Sequence, residues 1–213
     1  MKQYYLGIEF GSTRVKAVLI DGEHRIVKSG DYTWKSSLEN GVWTYHMEDV
    51  QTGLRTAIRN LGELPGAVSA MGISGMMHGY LAFDKDWNLL APFRTWQNTL
   101  TREAAGPLTA EYGFNIPQRR SIAHLYQAIL NGEAHVKNIA HITTLAGYVH
   151  YLLTGENVLG VGEASGMFPI DSEALDYDAA MLEKFDALIA KYGFAWTARS
   201  VLPKVLTAGQ AAG

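Results

Sequence analysis

The sequence predicts an α/β domain in which a mixed sheet with a β-β-β-α-β opening is flanked by helices. Three observations carry that prediction. Apolar runs at residues 4–9 and 15–20 are separated by the polar turn Gly11-Ser12-Thr13. The hydrophobic period then lengthens at Val50, Leu54, Ile58 and Leu61, the spacing of an amphipathic helix. A second apolar run at residues 68–74 follows Pro65-Gly66, so strand, helix and strand succeed one another and the last strand joins the sheet in parallel.

The 213 residues are 47% hydrophobic and 18% charged, enough to bury a core. No linker or repeat divides them, and one domain over residues 1–213 is expected. A net charge of −3 provides no general basic field, so no nucleic-acid partner is expected. The absence of cysteine removes disulfide, thiolate and zinc-thiolate chemistry and fits a reducing compartment. Met1-Lys2-Gln3-Tyr4-Tyr5 lacks the apolar core of a secretion signal, and no apolar run approaches the ~20 residues that span a bilayer. A cytoplasmic chain without membrane partners is therefore expected.

The first two runs form a hairpin. Asp21-Gly22, a pair suited to a two-residue turn with positive φ, leads to a third strand at residues 25–28. Glu48 and Asp49 suit the positive end of the helix that follows, and Gly62 with Pro65-Gly66 ends it. Residues 68–74 read as a buried strand. Beyond them the chain is mostly helical, with stripes at Ile122, Leu125, Ile129 and at Leu145, Val149, Leu152, Leu153. Gly132 and Gly155 sit where left-handed helix caps belong. Asp178 is an N-cap candidate for a helix with Leu182, Phe185 and Ile189 inward; Leu202-Pro203-Lys204 breaks the pattern, and residues 207–213 form no element.

Three stretches could carry chemistry. Glu9-x-Gly11-Ser12-Thr13-x-x-Lys16 has small residues that let backbone N–H groups approach an anion, with an acidic side chain nearby for a metal-bound nucleotide. It equally describes a solvated hairpin turn. Gly72-Ile73-Ser74-Gly75-Met76-Met77-His78-Gly79 follows the parallel strand, where open sheets bind ligands. There His78 either donates to a substrate hydroxyl or is a satisfied structural histidine, and the methionines line a pocket or pack. Phe93-Arg94-Thr95-Trp96-Gln97-Asn98-Thr99 combines an indole, amides and a guanidinium as sugar sites do, or holds a buried Trp before a helix capped by Asn98 or Thr99. Arg119-Arg120 after Pro117 either reaches a sugar or forms a solvated face, the second being the expectation, and the histidines other than His78 lack zinc-site spacing.

In this order, together with Leu153-Thr154-Gly155-Glu156, Ala164-Ser165-Gly166-Met167, Asp171, Tyr177-Asp178 and Leu202-Pro203-Lys204-Val205, these stretches resemble the FGGY family of carbohydrate kinases over essentially the whole chain. The resemblance implies an actin-like, ribonuclease-H-like ATPase domain, incomplete at its C-terminus. It implies ATP and Mg2+ as cofactors, and a ketose or polyol acceptor with xylulose favoured by Met77-His78-Gly79. Carried over, Gly11, Ser12, Thr13 and Lys16 would bind the nucleotide. Met77, His78, Gly79, Trp96 and Gln97 would bind the sugar, and Glu9, which replaces the family's Asp, would meet the metal through water. The family's catalytic Asp lies beyond Gly213, so no catalytic residue is expected in this chain and the 213 residues alone are expected to be inactive. A homodimer is an expected state of the full-length protein. The alternative is a non-catalytic sugar-binding or regulatory module of the same fold.

Overall fold

The computed structural model describes residues 3–213, so the first two residues of the Met1–Tyr5 stretch lie outside the described residues. The chain divides into two compact units: one holds the residues up to Glu39 with Thr44–Met76, the other Asn40–Trp43 with Met77–Gly213.

In the first unit β1 (Tyr4–Phe10), β2 (Arg14–Asp21) and β3 (Ile26–Thr33) form the expected antiparallel meander. Alternation dictates the two faces: Leu6, Ile8, Phe10, Val15, Ala17 and Leu19 are buried while Glu9 and Lys16 point outward. Burying each of the larger side chains is worth roughly 1.5–3 kcal/mol. The short strands β4 (Ser37–Glu39) and β5 (Val42–Thr44) flank Asn40-Gly41, both at positive φ. Next comes α1 (Met47–Arg59), which buries Val50, Gly53, Leu54 and Ala57. It lies unusually close to the sheet. A Cβ added at Gly53 would stand 2.8 Å from Val15 Cγ2, and one at Gly30 would collide with the Ala57 carbonyl and stand 2.8 Å from the Asn60 carbonyl carbon. β6 (Val68–Gly75) then pairs in parallel with β1, giving the order β3-β2-β1-β6.

Two expectations are corrected here. The turn after β2 is not a two-residue Asp21-Gly22 turn. His24 N–H closes on the Asp21 carbonyl at 3.0 Å, His24 itself takes φ 61°, and the Asp21 carboxylate accepts the N–H groups of Glu23 and Arg25. An aspartate that hydrogen-bonds the backbone two residues on builds a longer loop by itself. β6, expected to be buried, is a sheet edge. Most of its residues are exposed, and among the described residues it pairs with β1 alone.

The second unit continues with β7 (Leu81–Phe83), α2 (Arg102–Tyr112), α3 (Ser121–Leu130), β8 (His141–Thr143), α4 (Leu145–Thr154), β9 (Val158–Gly160) and α5 (Val161–Ala164). It ends with β10 (Ile170–Asp171), β11 (Asp176–Tyr177), α6 (Ala179–Ile189), α7 (Ala198–Val201) and β12 (Lys204–Leu206). β7 pairs with β8, β10 with β11, and β12 runs parallel to β9. The core joins α2, α3 and α6 through Leu108, Leu125, Ile129, Phe168 and Phe185. α3 is buried on nearly every side rather than along one stripe. Gly132 and Gly155 take the left-handed conformation as expected, and the Asp178 carboxylate caps α6 by accepting Met181 N–H at 2.9 Å. Leu152 and Leu153 are exposed, against expectation, because only the first turns of α4 enter the core.

Candidate functional site

The loop between β1 and β2 is shaped by which backbone groups are spent. The Gly11 carbonyl accepts Trp34 Nε1–H at 2.7 Å, the Ser12 carbonyl accepts the Tyr45 hydroxyl at 2.7 Å, and the Thr13 carbonyl accepts Trp34 N–H at 3.1 Å. Three consecutive carbonyls are thus drawn inward. In a trans peptide the N–H points opposite to the C=O of the same unit, so the N–H groups of Ser12 and Thr13 face away from Trp34 and Tyr45. Ser12 and Thr13 are exposed, as both a phosphate cradle and a solvated hairpin turn require. Gly11 differs from its neighbours, since its N–H closes the turn on the Arg14 carbonyl at 2.9 Å. Trp34 and Tyr45 hold each other in place, with ring centroids 4.4 Å apart, and Phe10 meets Trp34 edge-on at 5.7 Å.

Directly across the hairpin register, Glu9 and Lys16 form an ion pair of 3.1 Å with both side chains half exposed. They border a cavity of about 410 Å³ whose remaining wall is Gly7, Ile8, Val18, Gly72, Ile73 and Ser74. The small residues of β1 and β6 keep this face of the sheet open.

In the second unit the Met77-His78-Gly79 loop is fixed by its backbone. His78 has φ 70° and Gly79 φ 93°, a region that favours glycine and makes His78 a strained exception. Gly79 N–H donates to the Arg119 carbonyl at 3.1 Å, and a Cβ at Gly79 would stand 2.6 Å from the Arg94 carbonyl oxygen. Tyr80 and Arg94 exchange backbone hydrogen bonds of 2.8 and 3.1 Å, which joins this loop to the one carrying Trp96 and Gln97. Met77 and Trp96 are exposed, and the buried Gln97 Oε1 has no partner.

His78 Nδ1 lies 3.1 Å from the Gly166 carbonyl. A carbonyl only accepts, so Nδ1 carries the proton, and in the neutral ring Nε2 is an acceptor. Burial holds this imidazole below its usual pKa; the Gly166 contact opposes that, and the charges of Arg119 and Arg120 reinforce it. The Nδ1 proton is thus committed to the Gly166 carbonyl, and the nitrogen left open in the neutral ring is the acceptor Nε2. Asn98 is not a helix cap. Its amide clasps the Trp43 backbone, accepting Trp43 N–H and donating to the Trp43 carbonyl, both at 2.8 Å. The N-cap of α2 is Thr101, whose hydroxyl donates instead to the Gln118 carbonyl at 2.5 Å.

Residues 4–213 match the model of the FGGY family of carbohydrate kinases, N-terminal domain. The chain belongs to that family. Among its relatives, the glycerol kinase of Thermococcus kodakarensis is 26% identical over 203 residues, covering 87% of this chain and 41% of that protein. The xylulose kinase of Klebsiella pneumoniae is 24% identical, covering 85% and 40%. The crystal structure of gluconate kinase from Lactobacillus acidophilus matches with a TM-score of 0.84 at 19% identity, covering 100% of this chain and 44% of that one. The chain thus spans about 41% of the length of the curated glycerol kinases it matches. Its fold is the actin-like, ribonuclease-H-like α/β fold of FGGY kinases, in the amino-terminal part. Among the described residues no helix is long and apolar enough to cross a membrane.

Proposed function

We propose that this FGGY chain is the amino-terminal lobe of a cytoplasmic, ATP-dependent carbohydrate kinase that phosphorylates a hydroxyl of a ketose or polyol. The observation that carries the reading is the Gly11–Thr13 loop, whose carbonyls are all turned inward by Trp34 and Tyr45 so that the Ser12 and Thr13 amides face out. Phosphoryl transfer needs alignment and charge neutralisation more than covalent chemistry, and outward amides supply both without side-chain bulk. In this reading Ser12 and Thr13 donate to phosphate oxygens, Gly11 keeps the loop tight, and Lys16 stands beside them on β2.

The residues present fit Mg2+ held largely by its own waters and by phosphates, a mode that takes only one or two carboxylates. Glu9 offers one, while no group of three or more metal-ligating side chains exists among the described residues. When bound, the ion would neutralise charge on the phosphates, and Glu9 would hold one of its waters. On the acceptor side, Met77 and Trp96 supply apolar surface, Gln97 an amide, and His78 Nε2 an acceptor for a substrate hydroxyl. Xylulose is the acceptor that Met77-His78-Gly79 favours, and the names of relatives such as the Klebsiella pneumoniae xylulose kinase support that class. No acidic residue of this chain is assigned as the base, so the 213 residues alone are expected to bind without turnover.

Two assays test the reading. Calorimetry with ATP should show binding that weakens on Gly11→Val, while a coupled assay of sugar-dependent ADP release should stay at background. Turnover by the chain itself would show that a base has been overlooked, and absence of ATP binding would remove the nucleotide role of the loop.

A further inference from the structure

Arg119 is exposed, as a solvated face requires, but its neighbour Arg120 is partly buried. Gly79 N–H on the Arg119 carbonyl lays this segment against the His78 loop. The Arg120 guanidinium sits 5.3 Å above the Phe114 ring, and its Nε and Nη1 are buried without a hydrogen-bond partner. Neither arginine belongs to any ion pair among the described residues. Arg120 is also the N-cap residue of α3, whose first turn holds no acidic side chain, so the positive end of that helix adds to the two guanidinium charges. One turn further along, His124 is fully buried with both ring nitrogens unpartnered. Burial, reinforced by the charge of Arg94, holds it neutral, with a pKa of about 3. A guanidinium edge buried without a partner, as at Arg120, is costly unless something completes it.

We infer that Arg119 and Arg120 form an oxyanion subsite beside His78, and that the oxyanion is a carboxylate on the acceptor, making the substrate a polyhydroxy acid of the aldonate class. This inference rests on the carbohydrate-kinase reading and replaces its neutral ketose: the preference for xylulose comes from three residues of sequence pattern, whereas two unpaired guanidiniums would stay unpaired over a neutral sugar. The carboxylate would draw Arg119 and the free edge of Arg120 inward, leaving the chain's hydroxyls to Gln97 and to His78 Nε2.

The test is calorimetry on this chain with five-carbon probes that differ in charge: D-xylonate, xylitol and D-xylulose, with orthophosphate as a fourth. Xylonate is expected to bind about 10- to 100-fold more tightly than xylitol, the span of a hydrogen bond to a charged group. Arg120→Gln should remove that advantage and leave xylitol within about twofold, since only the charge-assisted contact is lost. Arg120→Lys should keep part of it. Arg119→Gln, on an exposed side chain, gives a second variant whose folding is not at risk, and added salt should weaken xylonate but not xylitol. Equal binding of xylonate and xylitol would overturn the carboxylate subsite while leaving the kinase reading intact. Orthophosphate competing with xylonate at equal affinity would assign the oxyanion to the phosphoryl donor and also overturn it. If no polyhydroxy compound binds, the sugar reading itself fails and this inference falls with it.

Discussion

Replacing Trp34 with Phe and Tyr45 with Phe tests whether these rings set the direction of the Ser12 and Thr13 amides. Tyr45→Phe keeps a ring 4.4 Å from Trp34 and deletes the donor to the Ser12 carbonyl; Trp34→Phe keeps the contact with Phe10 and deletes the 2.7 Å donor to Gly11. Each change strands one carbonyl in a partly buried turn and should cost about 1–2 kcal/mol. Because the rings touch, the double variant should depart from the sum by about 0.5 kcal/mol or more. Urea unfolding followed by far-UV circular dichroism reads the stability, independently of the lost indole. ATP calorimetry reads the consequence, an affinity drop of about tenfold as the loop carbonyls become free to turn outward toward the phosphates, by the arithmetic of one lost hydrogen bond. Both single variants within about 0.3 kcal/mol of the parent, with unchanged ATP affinity, would refute the argument that these donors orient the loop.

Gly30→Ala should destabilise the first unit by about 3 kcal/mol in the same unfolding assay, because the new methyl meets the backbone of α1, which cannot step aside as a side chain could. Stability should also depend on acid through His124. Its pKa is about 3 in the fold and near the ordinary 6.5 when unfolded, so the unfolded chain binds the extra proton between those values. Stability is then complete above about pH 6.5 and falls by about 1.4 kcal/mol per unit as pH drops toward 4. His124→Leu, which removes two orphaned nitrogens, should flatten that slope and leave stability at pH 7 equal or higher; an unchanged slope would put the titration elsewhere. The open edge of β6 carries no charged residue, and the chain should self-associate with concentration in analytical ultracentrifugation. Met71→Lys, at an exposed position on that strand, should suppress the association.

Local chemistry explains what could be read in advance. Alternation along residues 4–10 and 14–21, the caps at Gly132, Gly155 and Asp178, and the small polar residues at 11–13 each act within a few positions, so the linear string displays them. The clamps of the phosphate loop do not: Trp34 lies 23 residues from the carbonyl it binds and Tyr45 lies 33, and a side chain reaching a backbone oxygen leaves no periodic trace. β3 runs to Thr33 instead of stopping at Lys28, and its Gly30 is the position that lets α1 approach. Asn98 offered a helix cap by residue type but is committed to Trp43, 55 residues away. The solvated reading holds for Arg119 but not for Arg120, whose guanidinium sits over Phe114.

Gly79 has a practical consequence for anyone wishing to change what this lobe accepts. Its conformation and the nearby Arg94 oxygen forbid any side chain there, so the path of the acceptor loop is set by main chain alone. Directed evolution that randomises position 79 would spend its library on broken loops. Diversity placed at Met77, Trp96, Gln97 and Arg119 would instead vary the side chains of the proposed acceptor site over an unmoved frame, and selectivity could shift without the fold being renegotiated each time.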